Sequence, residues 1–476
     1  MNVTLPKQGR GYEAVLEELD QFGTDDPEYK KMKLWSLVYY LGDEHTDFLK
    51  EAYGKYLSAN GLNPMAFKSL KRFETEVIKM TAGLLNGDRN VTGVMTSGGT
   101  ESCLLAVKTY RDYGKAIKKT KNPNMVVPET AHVAWEKGAE YFGVKIRRAP
   151  LAKDYRVNVK ALKKLVDKNT VMILGSAPEY PHGMIDPIAD LSEIALKKKI
   201  PLHVDACLGG FFLPFVEKLG HEIPAWDFRV PGVTSVSADV HKYGYSAKGA
   251  SVLTYRNIDI MKHQFFVCEN WPGGVFASPA LLGTRPGGAY AAAWASMQAI
   301  GEDGYLKFTR DTMNGTREMM KGVADIPELK IIGIPLTSVF SFRSNTRNVD
   351  IYAVGDMMEN KGWHIDRLQR PEALHAMVTP LHQEVIDKYI SDLKESVAYV
   401  KEHPELSETG GAAMYGMIAN IPLRGAVKKQ VLNMFAQLYG PEAKMIVPEH
   451  KTNQDETDIS TKLAMTYLKI KRFFEV

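Results

Sequence analysis

Between residues 91 and 255 short apolar, β-rich runs alternate with amphipathic stretches. Val91–Thr96, Met125–Val127, Lys145–Arg148, Val171–Leu174, Leu202–Asp205, Thr234–Ser237 and Ser251–Tyr255 read as strands bounded by turn formers. In Pro187–Lys199 the positions Ile188, Leu191, Ile194 and Ala195 share one helical face, and Pro187 suits a first turn. Strands alternating with helices over this length predict an α/β fold whose mostly parallel sheet is covered on both faces. Residues 11–57 read as charged and helical, with a turn near Asp25-Asp26-Pro27, and a Gly/Pro-rich loop runs from Trp271 to Gly288. Beyond residue 300 strands thin out; Gly333–Arg343 and His375–Thr379 suit a smaller α+β domain, and Lys451–Asp458 reads as a loop before a last helix. The expected division is an N-terminal helical segment 1–57, a large domain 58–300 and a C-terminal small domain 301–476.

Composition narrows the class. Of 476 residues 45% are hydrophobic and 24% charged, ordinary values for a globular protein, and 60 basic against 56 acidic residues leave a net charge of +4. No basic run interleaves with aromatics, so no nucleic-acid partner is expected. Cys103, Cys207 and Cys268 form no CxxC pair and no metal-ligand spacing, which fits a reducing compartment and no structural metal. The polar start MNVTLPKQGRGYEAVLEELDQFG has no apolar core of a signal peptide, and nowhere do eighteen apolar residues run together. The expectation is a cytoplasmic protein with no integral membrane segment.

Chemistry enters at Ser235-Val236-Ser237-Ala238-Asp239-Val240-His241-Lys242, a β-forming run that ends in a His-Lys pair. Asp205 closes another such run, where α/β folds place ligands at the carboxyl edge of the sheet. A lysine for an imine and a carboxylate that keeps a pyridine nitrogen protonated are what pyridoxal 5'-phosphate needs. Each has an ordinary reading too: a helix cap or ion pair for Asp205, a solvated surface charge for Lys242. Lys248, six residues on, is a rival for the imine and is read as a cation for a substrate anion. Thr96-Ser97-Gly98-Gly99-Thr100-Glu101-Ser102 follows a strand and opens an apolar helix, so its backbone could cradle an anion, with Thr100 and Ser102 as hydroxyl donors. By itself that pattern equally fits a capped helix after a tight turn. His132 at a helix start could stack on a pyridine ring or cap the helix.

Together these pieces resemble the sphingosine-1-phosphate lyases, fold-type-I pyridoxal-phosphate enzymes near the group II decarboxylases. TSGGTES (96–102), AHVAWEKGAEYFGVKI (131–146), PEYPHGMIDPI (178–188), IPLHVDACLGGFF (200–212), FRVPGVTSVSADVHKYGYSAKG (228–249), FASPALLGTRPGG (276–288) and KGWHIDRLQRP (361–371) carry the likeness, which spans about residues 36 to 420. It implies a fold-type-I transferase-like large domain with a smaller C-terminal domain. It also implies that Lys242 forms the imine, Asp205 pairs with the pyridine nitrogen and His132 stacks on the ring. Gly99, Thr100, Ser237 and His241 would surround the cofactor phosphate. Gly283 and Thr284 match a loop that reaches the phosphate from the neighbouring subunit of a homodimer with shared active sites. Lys248 and Tyr39, the latter from the partner, match positions near a substrate phosphate, with His45 and Arg285 as further candidates. Tyr180 is a candidate acid/base. Two features depart from the family: its eukaryotic members carry an N-terminal membrane helix, and Asn63 in Asn60-Gly61-Leu62-Asn63-Pro64 stands where a histidine is often found. Asn63 brings a hydrogen bond but no charge. The expected reaction is retro-aldol cleavage of a phosphorylated amino alcohol of the sphingoid type, giving a fatty aldehyde and ethanolamine phosphate. The alternatives are decarboxylation of an amino acid and a catalytically idle scaffold; retention of Lys242, Asp205, His132 and the glycine turn together speaks against the latter.

Overall fold

The computed structural model describes residues 4–63, 65–420 and 424–441; the expected loop Lys451–Asp458 and last helix lie outside them. A seven-stranded sheet forms the centre, with β1 (Thr92–Thr96), β2 (Asn124–Pro128), β3 (Lys145–Ala149), β4 (Thr170–Ser176), β5 (Leu202–Asp205), β6 (Val233–Ala238) and β7 (Ser251–Tyr255). Their spatial order is β1-β7-β6-β5-β4-β2-β3. All neighbours are parallel except β7, which runs antiparallel to both β6 and β1. Strands β2, β4, β5 and β7 are buried along their whole length. That is why they read as apolar runs rather than as alternating patterns.

Helices cover both faces. They are α1 (Tyr12–Phe22), α2 (Asp43–Gly54), α3 (Lys68–Leu84), α4 (Gly99–Lys118), α5 (Ala134–Phe142), α6 (Val159–Leu165), α7 (Ile188–Lys198), α8 (Leu213–Lys218) and α9 (Ile258–Met261). On α7 the buried positions are Ile188, Leu191, Ser192, Ile194 and Ala195, the face expected from the sequence. The Gly/Pro-rich loop contains a small hairpin, β8 (Phe266–Cys268) and β9 (Phe276–Ser278). It is too short to register as alternation in the sequence.

Helix α10 (Gly287–Ala324) leads out of the large domain, broken at Gly301, whose φ of 61° and ψ of 178° leave the helical region. A positive φ costs glycine little, which is why the bend can sit there. Beyond it, β10 (Leu329–Ile331), β11 (Val339–Ser344), β12 (Asp366–Gln369) and β13 (Glu372–Met377) form an antiparallel sheet in the order β10-β11-β13-β12. It is packed by α11 (Ile351–Asn360) and α12 (Ile386–Glu402). Of the expected strand Gly333–Arg343 only the second half pairs, and the strand expected at His375–Thr379 begins three residues earlier.

The segment before residue 58 does not stand by itself. Leu34 bridges to His364, and Trp35 is fully buried in the small-domain core, stacked on His382 at 4.2 Å and edge-on to Tyr389 at 4.8 Å. Burying such a ring contributes about 1.5–3 kcal/mol. Among the described residues no helix is long and apolar enough to cross a membrane.

Candidate active site

The floor of the site is the carboxyl edge of β5. Asp205 is buried there, its Oδ2 accepting from Trp135 Nε1 at 2.9 Å and its Oδ1 from the Cys207 N–H at 3.2 Å. Burial alone would raise its pKa, but the Trp135 donor and the nearby His132 and His203 rings leave it below the usual carboxylate range. It is an anion held in place, lacking a full counter-charge. His203 lies beneath, bonded through Nδ1 to Ser235 Oγ (2.7 Å) and through Nε2 to Ser237 Oγ (3.2 Å), and burial pushes it down to about 4, so it stays neutral. The Ser237 hydroxyl lies 3.4 Å from Asp205 Oδ1 and 3.4 Å from Cys207 Sγ.

Lys242 follows β6 through a tight turn, its N–H donating to Asp239 O at 3.2 Å. Its Nζ stands 3.0 Å from Asp239 Oδ2. Burial favours the neutral amine, but the Asp239 carboxylate more than offsets it and holds the pKa above the ordinary lysine value. Asp239 is itself buried, and neither of its oxygens has a well-aligned hydrogen-bond donor despite the ion pair. His241 accepts the Ala250 N–H at Nδ1 (3.1 Å), lies 3.8 Å from Asp239, and is pushed down to about 4 by burial.

The glycine turn closes over this pair. A Cβ on Gly98 would meet His241 Cε1 at 3.2 Å, and one on Gly99 would fall 2.7 Å from Asp239 Oδ2 and 3.0 Å from Cys207 Sγ. Only glycine lets the start of α4 approach so closely, and its first N–H groups have no intrahelical acceptor. Thr100 lies exposed at this end. Ser102, expected as a donor there, is instead fully buried and bonded to Thr96 Oγ1 (2.7 Å) and Ser251 Oγ (2.8 Å), which ties the helix to β1 and β7. His132 precedes α5, its Nδ1 accepting the Ala134 N–H at 3.2 Å; its edge is open to the cleft, and desolvation lowers its pKa.

At the rim Lys248 holds its ammonium 4.9 Å above the Tyr39 ring and donates to Leu37 O at 2.9 Å. The residue is exposed, while desolvation and the Lys242 charge push its pKa down to about 8. Tyr39 donates to Met377 Sδ at 2.9 Å and meets Tyr243 edge-on at 5.1 Å. It lies beside Lys248 of its own chain, and Trp35, four residues earlier, anchors the segment in the small domain. His45 is bonded to Tyr245 O (2.8 Å). Arg285 is buried with its Nη groups on Tyr290 Oη (3.0 Å) and Gly61 O, and its Nε has no partner.

Asn63 sits on an exposed turn and accepts the Met65 N–H at 2.9 Å. Gly283 and Thr284 are exposed beside the same loop, Thr284 Oγ1 accepting from Asn60 Nδ2 at 3.3 Å. All three are exposed, and Gly283 lies beside Leu62 of the Asn63 turn. Tyr180 faces the cleft, edge-on to His132 at 6.4 Å, and its hydroxyl donates to Asp366 Oδ2 at 2.6 Å.

Cys103, Asp205 and Cys207 bring their donor atoms within 4.8 Å of one another, the cluster among the described residues that could hold a metal. Burial pushes the Cys103 thiol up to about 11, and the contact with Cys103 together with burial pushes the Cys207 thiol up, so both remain protonated and poor ligands. The same site fits pyridoxal phosphate better. It offers a reactive amine at Lys242, an anchored anion at Asp205, a glycine-lined helix start, and orphaned Asp239 oxygens at the lysine. The sequence reading missed Asp239, Trp135, His203 and Asp366. Asp239 is three residues before Lys242 and Trp135 three after His132, a spacing that carries no signal until the turn and helix are in place.

Comparison with known proteins agrees. Residues 48–344 match the pyridoxal-dependent decarboxylase conserved domain. The sphingosine-1-phosphate lyase of Arabidopsis thaliana is 43% identical over 443 residues, 91% of this chain and 81% of that protein. Sphingosine-1-phosphate lyase 1 of Mus musculus is 43% identical over 87% of this chain and 73% of its own length. The structure of the Burkholderia pseudomallei sphingosine-1-phosphate lyase superimposes with a TM-score of 0.83 at 38% identity, covering 91% of this chain and 97% of that one. The chain with its buried Asp205, its Lys242–Asp239 pair and its glycine turn belongs to the sphingosine-1-phosphate lyase family of pyridoxal-dependent enzymes.

Proposed function

We propose that this protein cleaves phosphorylated sphingoid bases between C2 and C3, releasing a fatty aldehyde and ethanolamine phosphate. The observation that carries this reading beyond cofactor chemistry is the second cation, Lys248, held over Tyr39 at the rim of the pocket that contains Lys242. Pyridoxal phosphate supplies, when bound, an electron-accepting ring conjugated to the substrate nitrogen. The chain's own residues do the rest. Lys242 would hold the cofactor through its side-chain amine, and Asp239, 3.0 Å away, would stabilise its ammonium form. Asp205 keeps a proton on the pyridine nitrogen, because an anchored carboxylate below its usual pKa favours a cation against it. His132 would cover a face of the cofactor ring, and the backbone at Gly99 and Thr100, with His241, would hold its phosphate. Lys248 and Tyr39 bind the substrate phosphate at the other end, so the C2–C3 bond is presented with its hydroxyl toward Tyr180.

The exposed residues Asn63, Gly283 and Thr284 support a homodimer in which each subunit completes its partner's site. Their loop is exposed, and Leu281, Leu282, Met65 and Trp271 around it are exposed apolar residues that a second subunit would cover.

Lys248→Ala tests the substrate class. A charged hydrogen bond to phosphate is worth about 1.5–3 kcal/mol, so KM for dihydrosphingosine 1-phosphate should rise about 10- to 100-fold with kcat little changed. An equal loss of kcat with KM unmoved would place Lys248 in the chemistry and remove the phosphate site.

A further inference from the structure

Tyr180 is held by the small domain at three points. Its hydroxyl donates to Asp366 Oδ2 on β12 at 2.6 Å. Its ring stacks on His375 of β13 at 4.3 Å with 25° between planes, and His375 Nε2 donates to its carbonyl oxygen at 3.0 Å. Asp366 and His375 are a cross-strand pair, so both contacts come from one rung of the sheet. With Nε2 donating, His375 keeps a lone pair on Nδ1, which is buried without a partner, and burial pushes the ring down to about 4. His375 is therefore neutral and Asp366 is the charge that faces the phenol. The other titratable groups around this trio are His182 beside His375, and His132 and Tyr39 on the cleft side of Tyr180.

This arrangement decides what Tyr180 can do. Burial and the Asp366 charge raise its pKa far above that of a free phenol, so it does not serve as a phenolate base. Its single proton is already given to Asp366, which leaves the oxygen able only to accept from a substrate. We propose that Asp366 is the terminal proton acceptor for bond cleavage, acting through Tyr180; this rests on the lyase reading above. The hydroxyl on C3 passes its proton to Tyr180 Oη while the Tyr180 proton moves to Asp366 Oδ2. The C3–O bond becomes a carbonyl, the C2–C3 bond breaks, and its electron pair remains with C2. Tyr180 ends unchanged and Asp366 ends as the acid, ready to return the proton. Asp366 is thus a positioning and relay residue, and Tyr180 is the group in contact with substrate.

The test compares wild type, Asp366→Asn, Asp366→Glu and Tyr180→Phe, loaded with pyridoxal phosphate, on dihydrosphingosine 1-phosphate and on its 3-deoxy analogue. Asparagine still accepts the Tyr180 hydrogen bond but takes no proton. Asp366→Asn should lower kcat for aldehyde release about 100-fold or more with KM within about twofold, and should lose the acid limb of the kcat profile. Asp366→Glu should recover part of the rate and the limb. Tyr180→Phe should match Asp366→Asn, and the double variant should be no slower than either, as for groups acting as one unit. Binding, followed by the cofactor absorbance, should favour the hydroxylated substrate over the 3-deoxy analogue in wild type but not in Tyr180→Phe. Should Asp366→Asn fail to fold, Tyr180→Phe decides alone. A kcat for either variant near wild type, or an acid limb retained in Asp366→Asn, would overturn the relay. Absence of aldehyde from wild type would instead overturn the lyase reading, and the relay with it.

Discussion

Lys248 is a cation whose charge depends on pH in the range where activity is measured. Its pKa of about 8, below the ordinary lysine value, means that the ammonium is present below pH 8 and lost above it. A phosphate bound beside it favours the charged form and raises that value, so the loss shows in the free enzyme. The profile of kcat/KM on a phosphorylated substrate should fall as pH rises through about 8, and kcat should hold to higher pH. In Lys248→Ala the same fall should be absent, a comparison that steady-state kinetics at fixed ionic strength settles. A profile unchanged by the substitution would assign the limb to another group. At this scale Lys242, Asp205, His132 and Gly99 stand out in the sequence as candidates, because each lies at or just past a strand end or beside a helix start. Asp239 and Asp366 do not: their roles depend on a turn geometry and on a contact 186 residues away in the chain.

The strands of the large sheet were read to within two residues at their ends, and burial of β2, β4, β5 and β7 along their whole length leaves apolar runs there. Strands β5 and β7 have the bounds read from the sequence, and the others differ by one or two residues at their ends. The small domain was harder. Strand β10 has three residues and β12 is only half-buried, with Asp, Arg and Gln among its four, so neither shows the alternation that marks a strand. That half-buried, charged strand is nevertheless the one that carries Asp366. Helical character expected across residues 11–57 is split into α1 and α2, and the stretch between them holds two short 3-10 turns before it joins the small domain through Leu34 and Trp35. Tyr39 follows from this placement: a segment anchored in its own small domain delivers its tyrosine to its own Lys248.

For the whole molecule, the site lies where the two domains meet, with Asp205 and Lys242 from the large sheet and Asp366, His375 and Met377 from the small one. The proposed homodimer would place the exposed loop of Asn63, Gly283 and Thr284 against a second subunit. In a mixture of Lys242→Ala and Thr284→Trp homodimers, subunit exchange should produce one site with both wild-type residues, and activity should reappear from two inactive parents. Confirmed exchange with no recovery would contradict shared sites. The central claim, however, is the bond that breaks. It is tested by giving the cofactor-loaded protein dihydrosphingosine 1-phosphate and identifying the products by mass spectrometry. The account predicts hexadecanal and ethanolamine phosphate in equal amounts, both lost in Lys242→Ala. A loaded enzyme that releases no aldehyde, or releases it equally well without Lys242, would contradict it.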